Sequence, residues 1–256
     1  MTATLLARRV VERNAMAYRR MWIHFVSAFF EPVLYLLSVG IGVGELVGKL
    51  PGPGGHMLTY REFVAPGLLA SSAMMGSIFD TTIAFFVKYK YLKTYDAMLA
   101  TPISIADLSV GEVLWGLLRG TIYAAGFFLV MLAFGMLHSW WSLLCVPVTL
   151  LVGFAFAGVG LAATTFMRSW TDFDYVNGAV FPMFLFSATF FPLTQYPEAA
   201  QTLVSWTPLY QGVALERALM VGAINGGLVV RALYLAVMGS VGLWIAIKRL
   251  GRLLQP

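Results

Sequence analysis

The sequence predicts an all-α polytopic membrane protein with six transmembrane helices. Three observations carry that expectation. First, 59% of the 256 residues are hydrophobic and only 11% are charged, against roughly 45–50% and about 25% in a soluble domain. So few ionic groups cannot coat a water-facing surface of this size, and the missing surface faces lipid. Second, six stretches approach the roughly 20 apolar residues that a spanning helix needs at about 1.5 Å rise per residue. Third, Lys and Arg are segregated by loop, as topology anchors are.

In chain order, residues 1–21 read as an interfacial helix. Leu6, Val10, Val11, Ala17 and Tyr18 share one broad face, and Arg8, Arg9, Arg13, Arg19 and Arg20 fall on the opposite arc, a pattern suited to the membrane surface. No small-residue cleavage site follows a short apolar core, so no cleavable signal peptide is expected. The transmembrane domain fills 22–256. Its spans are placed near 22–44, 63–87, 108–135, 143–166, 176–191 and 228–247. The fifth is short and stops at Pro192. The first outer loop, Pro51-Gly52-Pro53-Gly54-Gly55, is turn-rich and expected to be irregular. Residues 192–220 carry Pro192, Pro197, Pro208, Glu198, Glu216 and Arg217 and are too broken for a span. They read as two short outer re-entrant helices before the last span, favoured over a surface loop with one amphipathic helix. Backbone at such depth must be buried in protein or line water.

Twelve Lys and Arg lie at the N-terminus, in the 2–3 and 4–5 links and in the tail, whereas the opposite side holds at most four, Lys49, Arg61, Arg217 and Arg231. Positive residues mark the cytoplasmic side, so both termini are expected there, as an even span number also requires. This dispersal explains the net charge of +5 without nucleic acid. The lone Cys145 excludes an internal disulfide. No inverted repeat of broken helices, the mark of many secondary carriers, is visible.

No catalytic apparatus is legible. The string from Gly42 to Leu50 approaches a phosphate-binding loop, but its spacing fails and no Ser or Thr follows Lys49. His24, His56 and His138 lack metal-ligand spacing. Glu31, Asp80, Glu112 and Arg119 fall inside spans. Such residues are costly in lipid and face the bundle or water, so they either line a pathway or pair structurally, as Asp80 or Glu31 with Arg119, or, for Glu112, snorkel to the cytoplasmic end. The aromatic cluster Phe181, Phe184, Phe186, Phe190 and Phe191 lines an apolar path or serves packing. Gly40/Gly44, Gly116/Gly120 and Gly158/Gly160 offer small surfaces for close helix contact. In the 2–3 link, Tyr91, Tyr95, Met98 and Leu99 share one helical face and Thr101-Pro102 ends the helix. Such a helix rests on lipid or inserts into a groove on a partner.

The chain resembles the membrane subunits of ABC type-2 exporters, in the branch of nodulation-factor and daunorubicin exporters. The resemblance covers nearly the whole chain. Its marks are Arg13-Asn14 with Tyr18-Arg19-Arg20, Phe30-Glu31-Pro32 running into Gly40-Ile41-Gly42, Phe63-Val64-Ala65-Pro66-Gly67, Phe79-Asp80, Tyr95 to Pro102, Phe191-Pro192-Leu193 and Pro208-Leu209. The family usually has Glu where Asp80 stands, and often at Asp96; both changes keep the charge. The resemblance implies a homodimer, or a pair with a paralogous permease, in a bacterial cytoplasmic membrane. It implies separate ATP-binding cassette ATPase subunits that hold ATP and Mg, with no cofactor and no enzyme activity in this chain. It also implies that 91–102 is the coupling helix, with Tyr91, Tyr95, Asp96, Met98, Leu99, Thr101 and Pro102 meeting the ATPase. Glu31, Phe79, Asp80, Phe184, Phe190 and Phe191 are assigned to the translocation pathway. The cargo expected is amphipathic or hydrophobic: a drug, lipid, glycolipid or polysaccharide. The rival expectation is a self-contained carrier or channel needing no ATPase.

The charge asymmetry places residues 45–62 outside. A cysteine in that loop, at Gly54, is expected to react with an impermeant thiol reagent in intact cells; labelling only after membrane rupture contradicts the topology.

Overall fold

The computed structural model describes residues 3–18, 30, 33, 34, 36–38, 40 and 42–254. Most of the first expected span, and Arg19, Arg20 and Glu31 with it, lie outside the described residues.

Helix α1 (Ala3–Tyr18) is amphipathic as expected, but its apolar stripe is used on protein. Ala7, Val10 and Asn14 are fully buried, and Val10 lies against Gly111, where a Cβ would come within 2.5 Å of it. Ala17, expected on the apolar face, is exposed. The outer loop is not irregular: β1 (Lys49–Pro51) and β2 (Met57–Thr59) pair antiparallel with Leu50 opposite Leu58. The glycines make the reversal, Gly54 and Gly55 holding φ of +68° and +79°, which only glycine adopts freely. A cysteine at Gly54 therefore strains the turn, and the exposed His56 beside it is the labelling position that leaves the hairpin intact.

Helix α2 (Tyr60–Phe79) opens on a capping box: Thr59 N donates to Glu62 Oε2 at 2.7 Å and Glu62 N to Thr59 Oγ1 at 3.5 Å. It does not end at Val87. It runs on to Tyr91 through two π-helical turns, Asp80–Ala84 and Val87–Tyr91. A short helix, α3 (Thr94–Leu99), precedes α4 (Ile105–Ala133), whose start is set by a second capping box, Ser104 with Asp107. Helices α5 (Cys145–Thr164), α6 (Phe173–Phe186), α7 (Glu198–Trp206), α8 (Pro208–Val221) and α9 (Gly227–Leu254) complete the order. Among the described residues, four helices are long and apolar enough to cross a membrane: Tyr60–Tyr91, Ile105–Ala133, Trp140–Thr164 and Gly227–Leu254.

The fifth expected span is shorter than the sequence suggested. Its 14-residue helix covers about 21 Å at 1.5 Å per residue, and Ser187–Phe191 is not helical. Ala188 adopts a left-handed φ of +54°, and Ser187 Oγ turns back to donate to the Met183 carbonyl. The 192–220 segment forms the helix pair α7 and α8, with α8 almost wholly buried from Leu215 to Val221.

Helix α5 is the hub, touching α2, α4, α8 and α9. Its crossing with α9 is a glycine contact: a Cβ on Gly242 would lie 2.5 Å from the Gly158 backbone, and one on Gly158 would lie 3.0 Å from Gly239 Cα. Gly158 thus serves close packing as its spacing suggested, but its partners are on α9. Gly116 faces Asp80, whereas nothing lies within 4 Å of a Cβ on Gly120.

The crossing predicts unequal tolerance of alanine. Gly158→Ala drives a methyl into α9 backbone and is expected to lower stability by roughly 1–3 kcal/mol, the usual cost of overpacking. Gly120→Ala meets open space and is expected to leave the midpoint of thermal unfolding in detergent unchanged or slightly raised.

Candidate coupling and pathway sites

Four charges are buried between α2 and α4, and the π-turns set their position. A π-turn inserts one residue into the helix and is frequent at functional sites. Asp80 opens the first turn and points inward to Arg119 on α4, with which it forms a hydrogen-bonded ion pair; the two side chains are only 9% and 11% exposed. The Arg119 guanidinium also lies over the Tyr18 ring of α1, 5.2 Å from its centroid. One helical stretch further on, Lys88 Nζ donates to Glu112 Oε2 at 2.7 Å and to Asn14 Oδ1 of α1 at 3.2 Å. Thus α1, α2 and α4 are joined at two levels by paired charges. Asp80 and Arg119 thus pair with each other, and Glu112 takes Lys88. The widened turn also frees backbone: Thr164 Oγ1 of α5 donates to the Thr81 carbonyl at 2.8 Å, as hydroxyls do where membrane helices break their ladder.

The expected coupling face divides. Tyr95 is fully buried, its ring 4.7 Å from that of Phe85, in a cluster with Ile105, Leu108, Leu161 and Leu250. Burial, reinforced by the Glu112 carboxylate, pushes its hydroxyl well above the ordinary range, so it stays neutral. Met98 and Leu99 are half-buried against the same cluster. Tyr91 belongs instead to the end of α2, where it stacks on Trp170 with centroids 5.6 Å apart. So Tyr91, Tyr95, Met98 and Leu99 do not form one partner-facing stripe. A six-residue helix is unstable alone, and this one spends its apolar side on its own chain. The exposed arc is Asp96, Ala97, Ala100, Thr101 and Pro102.

Beside Tyr91, the segment between α5 and α6 is tightly made. Asp172 accepts from the Arg168 and Ser169 amides at 2.6 and 3.1 Å, which hold its carboxyl below the usual range. Lys90 Nζ reaches the Arg168 carbonyl at 3.1 Å.

The pathway residues do not converge. Phe184 and Phe190 meet edge to face, centroids 5.3 Å apart, in the cluster that also holds Phe63. Phe79 and Phe191 are about half exposed, so Phe79 points away from the bundle while its neighbour Asp80 points in. Glu31 lies outside the described residues. Arg217, which the sequence suggested as an outer loop cation, is buried. It donates to the Phe63 carbonyl at 3.0 and 3.1 Å and to the Ala188 carbonyl at 2.8 Å, with its guanidinium over the Phe63 ring. Its neighbour Glu216, also buried, accepts from Thr149 Oγ1 at 2.8 Å. The adjacency of two opposite charges in a Pro-broken apolar segment was the only signal of this. Among the described residues, no cluster of three or more His, Cys, Asp or Glu could hold a metal ion.

The family described as ABC-2 type transporter matches residues 6–221. The chain is 32% identical over 216 residues to nodulation protein J of Rhizobium leguminosarum bv. viciae, covering 83% of this chain and 81% of that one. It is 31% identical over 229 residues to nodulation protein J of Rhizobium meliloti (strain 1021), covering 88% and 85%. To the inner membrane transport permease YadH of Escherichia coli (strain K12) it is 25% identical over 198 residues, covering 75% and 73%.

The buried pairs predict asymmetric mutational costs. Asp80→Leu leaves Arg119 buried without its partner and is expected to cost about 3–5 kcal/mol, whereas replacing both charges by apolar groups is often neutral. The double variant Asp80→Leu/Arg119→Met should therefore unfold, on denaturant titration in micelles, close to the wild type. Its transport activity then separates a pair that lines the pathway from one that only joins helices.

Proposed function

Because the chain belongs to the ABC-2 type transporter family, as a multi-pass membrane subunit, we propose that it is the permease of an ATP-driven exporter. Two such subunits, identical or paralogous, form the pathway in the cytoplasmic membrane, each with six spans and both termini inside. Four helices among the described residues are long and apolar enough to be spans; in this reading α6 is a further one, and α7 and α8 form the outer re-entrant pair. ATP and Mg are bound by separate ATP-binding cassette subunits on the cytoplasmic side. The cargo is amphipathic or apolar, in keeping with the sparse charge and the aromatic residues near Phe184.

The observation that carries this reading is the mounting of α3. It stands between the ends of α2 and α4, and Tyr95 fixes it into a core shared by α2, α4, α5 and α9. A push on its exposed arc is therefore delivered to four helices at once rather than absorbed by a loose loop. Lys88, Glu112 and Asn14 extend the connection to α1. In this reading the ATPase meets Asp96, Thr101 and Pro102, while Tyr95, Met98 and Leu99 act as the anchor behind them.

Asp96→Arg alters only that outer arc. The variant is expected to insert and assemble as the wild type does, yet to lose its ATPase subunit on copurification or to hydrolyse ATP without transport. Normal transport with the ATPase bound would show that α3 is not the coupling element.

A further inference from the structure

An open cavity of about 470 Å³ lies between α1 and α3, lined by Arg9, Arg13, Lys93, Leu92, Met98 and Ile103, among others. Its charge is one-signed. Arg9 is shared with Glu12, at 3.1 Å, but among the described residues no carboxylate lies within ion-pair distance of Arg13 or Lys93. The Arg13 guanidinium donates to the neutral Asn14 Oδ1, at 3.2 Å. Lys93 sits at a left-handed φ of +46°, a conformation that a non-glycine residue holds only when its surroundings enforce it.

The depth of the cavity is set by the chain. Leu92 and Lys93 directly follow the apolar helix that ends at Tyr91, and Thr101 and Ile103 directly precede the one that starts at Ile105. Its walls thus lie where two apolar helices leave the hydrocarbon, on the side that the basic residues mark as cytoplasmic. That leaflet carries the anionic phospholipids, and basic pockets at its surface bind their headgroups. Leu92 is 65% exposed, an apolar side chain at the mouth. The apolar stripe of α1 is already covered by α4, so the helix presents arginine here rather than an apolar face.

We propose that this cavity binds the phosphate headgroup of an anionic phospholipid, with Arg13 and Lys93 on the phosphate, Arg9 at the rim, and Leu92 and Ile103 against the glycerol and first methylenes. The bound lipid bridges α1 and α3 and stiffens the segment beside the coupling arc. The cavity adjoins the proposed coupling arc and shares Ala97 and Thr101 with it, so lipid binding is read on the chain without an ATPase subunit.

The test uses the full chain in an uncharged detergent. Dioctanoylphosphatidylglycerol is the probe, with dioctanoylphosphatidylcholine and inorganic phosphate as controls. Binding is read by thermal shift and by lipid retention in native mass spectrometry. The wild type should bind phosphatidylglycerol, more weakly at high salt, and phosphatidylcholine should not bind. Arg13→Gln/Lys93→Gln should bind about tenfold or more weakly, since each basic residue contributes about 1 kcal/mol. Arg168→Gln, a control outside the cavity, should bind as the wild type does. Should the double variant fold poorly, the exposed single change Lys93→Gln carries the test. Equal binding by wild type and variant overturns the site, as does equal binding of phosphatidylcholine. Protection by phosphate alone to the same extent assigns the cavity to a free anion and also overturns it. Absent phosphatidylglycerol binding, with the variant losing a copurifying ATPase subunit, would give the cavity to the protein partner instead.

Discussion

Charge inside an apolar bundle constrains everything around it. An ion removed from water loses several kcal/mol of solvation even after relaxation, and only close pairing offsets that loss. Asp80, Lys88, Glu112 and Arg119 are tolerated between α2 and α4 because each finds an opposite charge there. That requirement sets the register of the two helices. The π-turns at Asp80 and Val87 accommodate it, since inserted residues rotate the following side chains toward α4. Asn14 and Tyr18 then bring α1 onto the same network.

The region around α8 obeys a different rule. There the problem is unpaired backbone rather than unpaired charge. The chain breaks its helix at Ser187–Phe191 and exposes carbonyls that no ladder serves. Arg217 collects the Ala188 carbonyl together with that of Phe63, joining α8 to the start of α2 and to the broken segment. A guanidinium suits this role because its fixed fork of donors reaches several acceptors at once. The two regions meet at α5, where glycines at Gly158, Gly239 and Gly242 bring α9 into backbone contact.

Coupling in such a molecule depends on stiffness. α3 has too few residues to hold a helix by its own hydrogen bonds. Tyr95 supplies the missing stability by burying a large ring beside Phe85, and its hydroxyl remains neutral so close to Glu112. The apolar residues of the segment therefore hold it to the bundle, and its small and polar residues stay exposed. In the proposed exporter, force enters through that surface and leaves through α2, α4, α5 and α9.

The class of fold was legible in composition and apolar length, because a bilayer leaves few alternatives to helices that satisfy their own backbone. The starts of α2 and α4 were legible too, since Thr59 with Glu62 and Ser104 with Asp107 are local capping pairs. The resemblance carried by strings such as Tyr95 to Pro102 was also a property of the sequence alone. Tertiary structure decided what depends on partners far along the chain. It split Tyr91 from Tyr95, turned Phe79 out and Asp80 in, buried Arg217 and folded the glycine-rich loop into a hairpin. Helical periodicity says which residues share a face but not which neighbour covers it. The partners of Asp80, Tyr95 and Arg217 lie 39, about ten to more than a hundred, and 29 and 154 residues away, and only packing of the whole bundle brings them together.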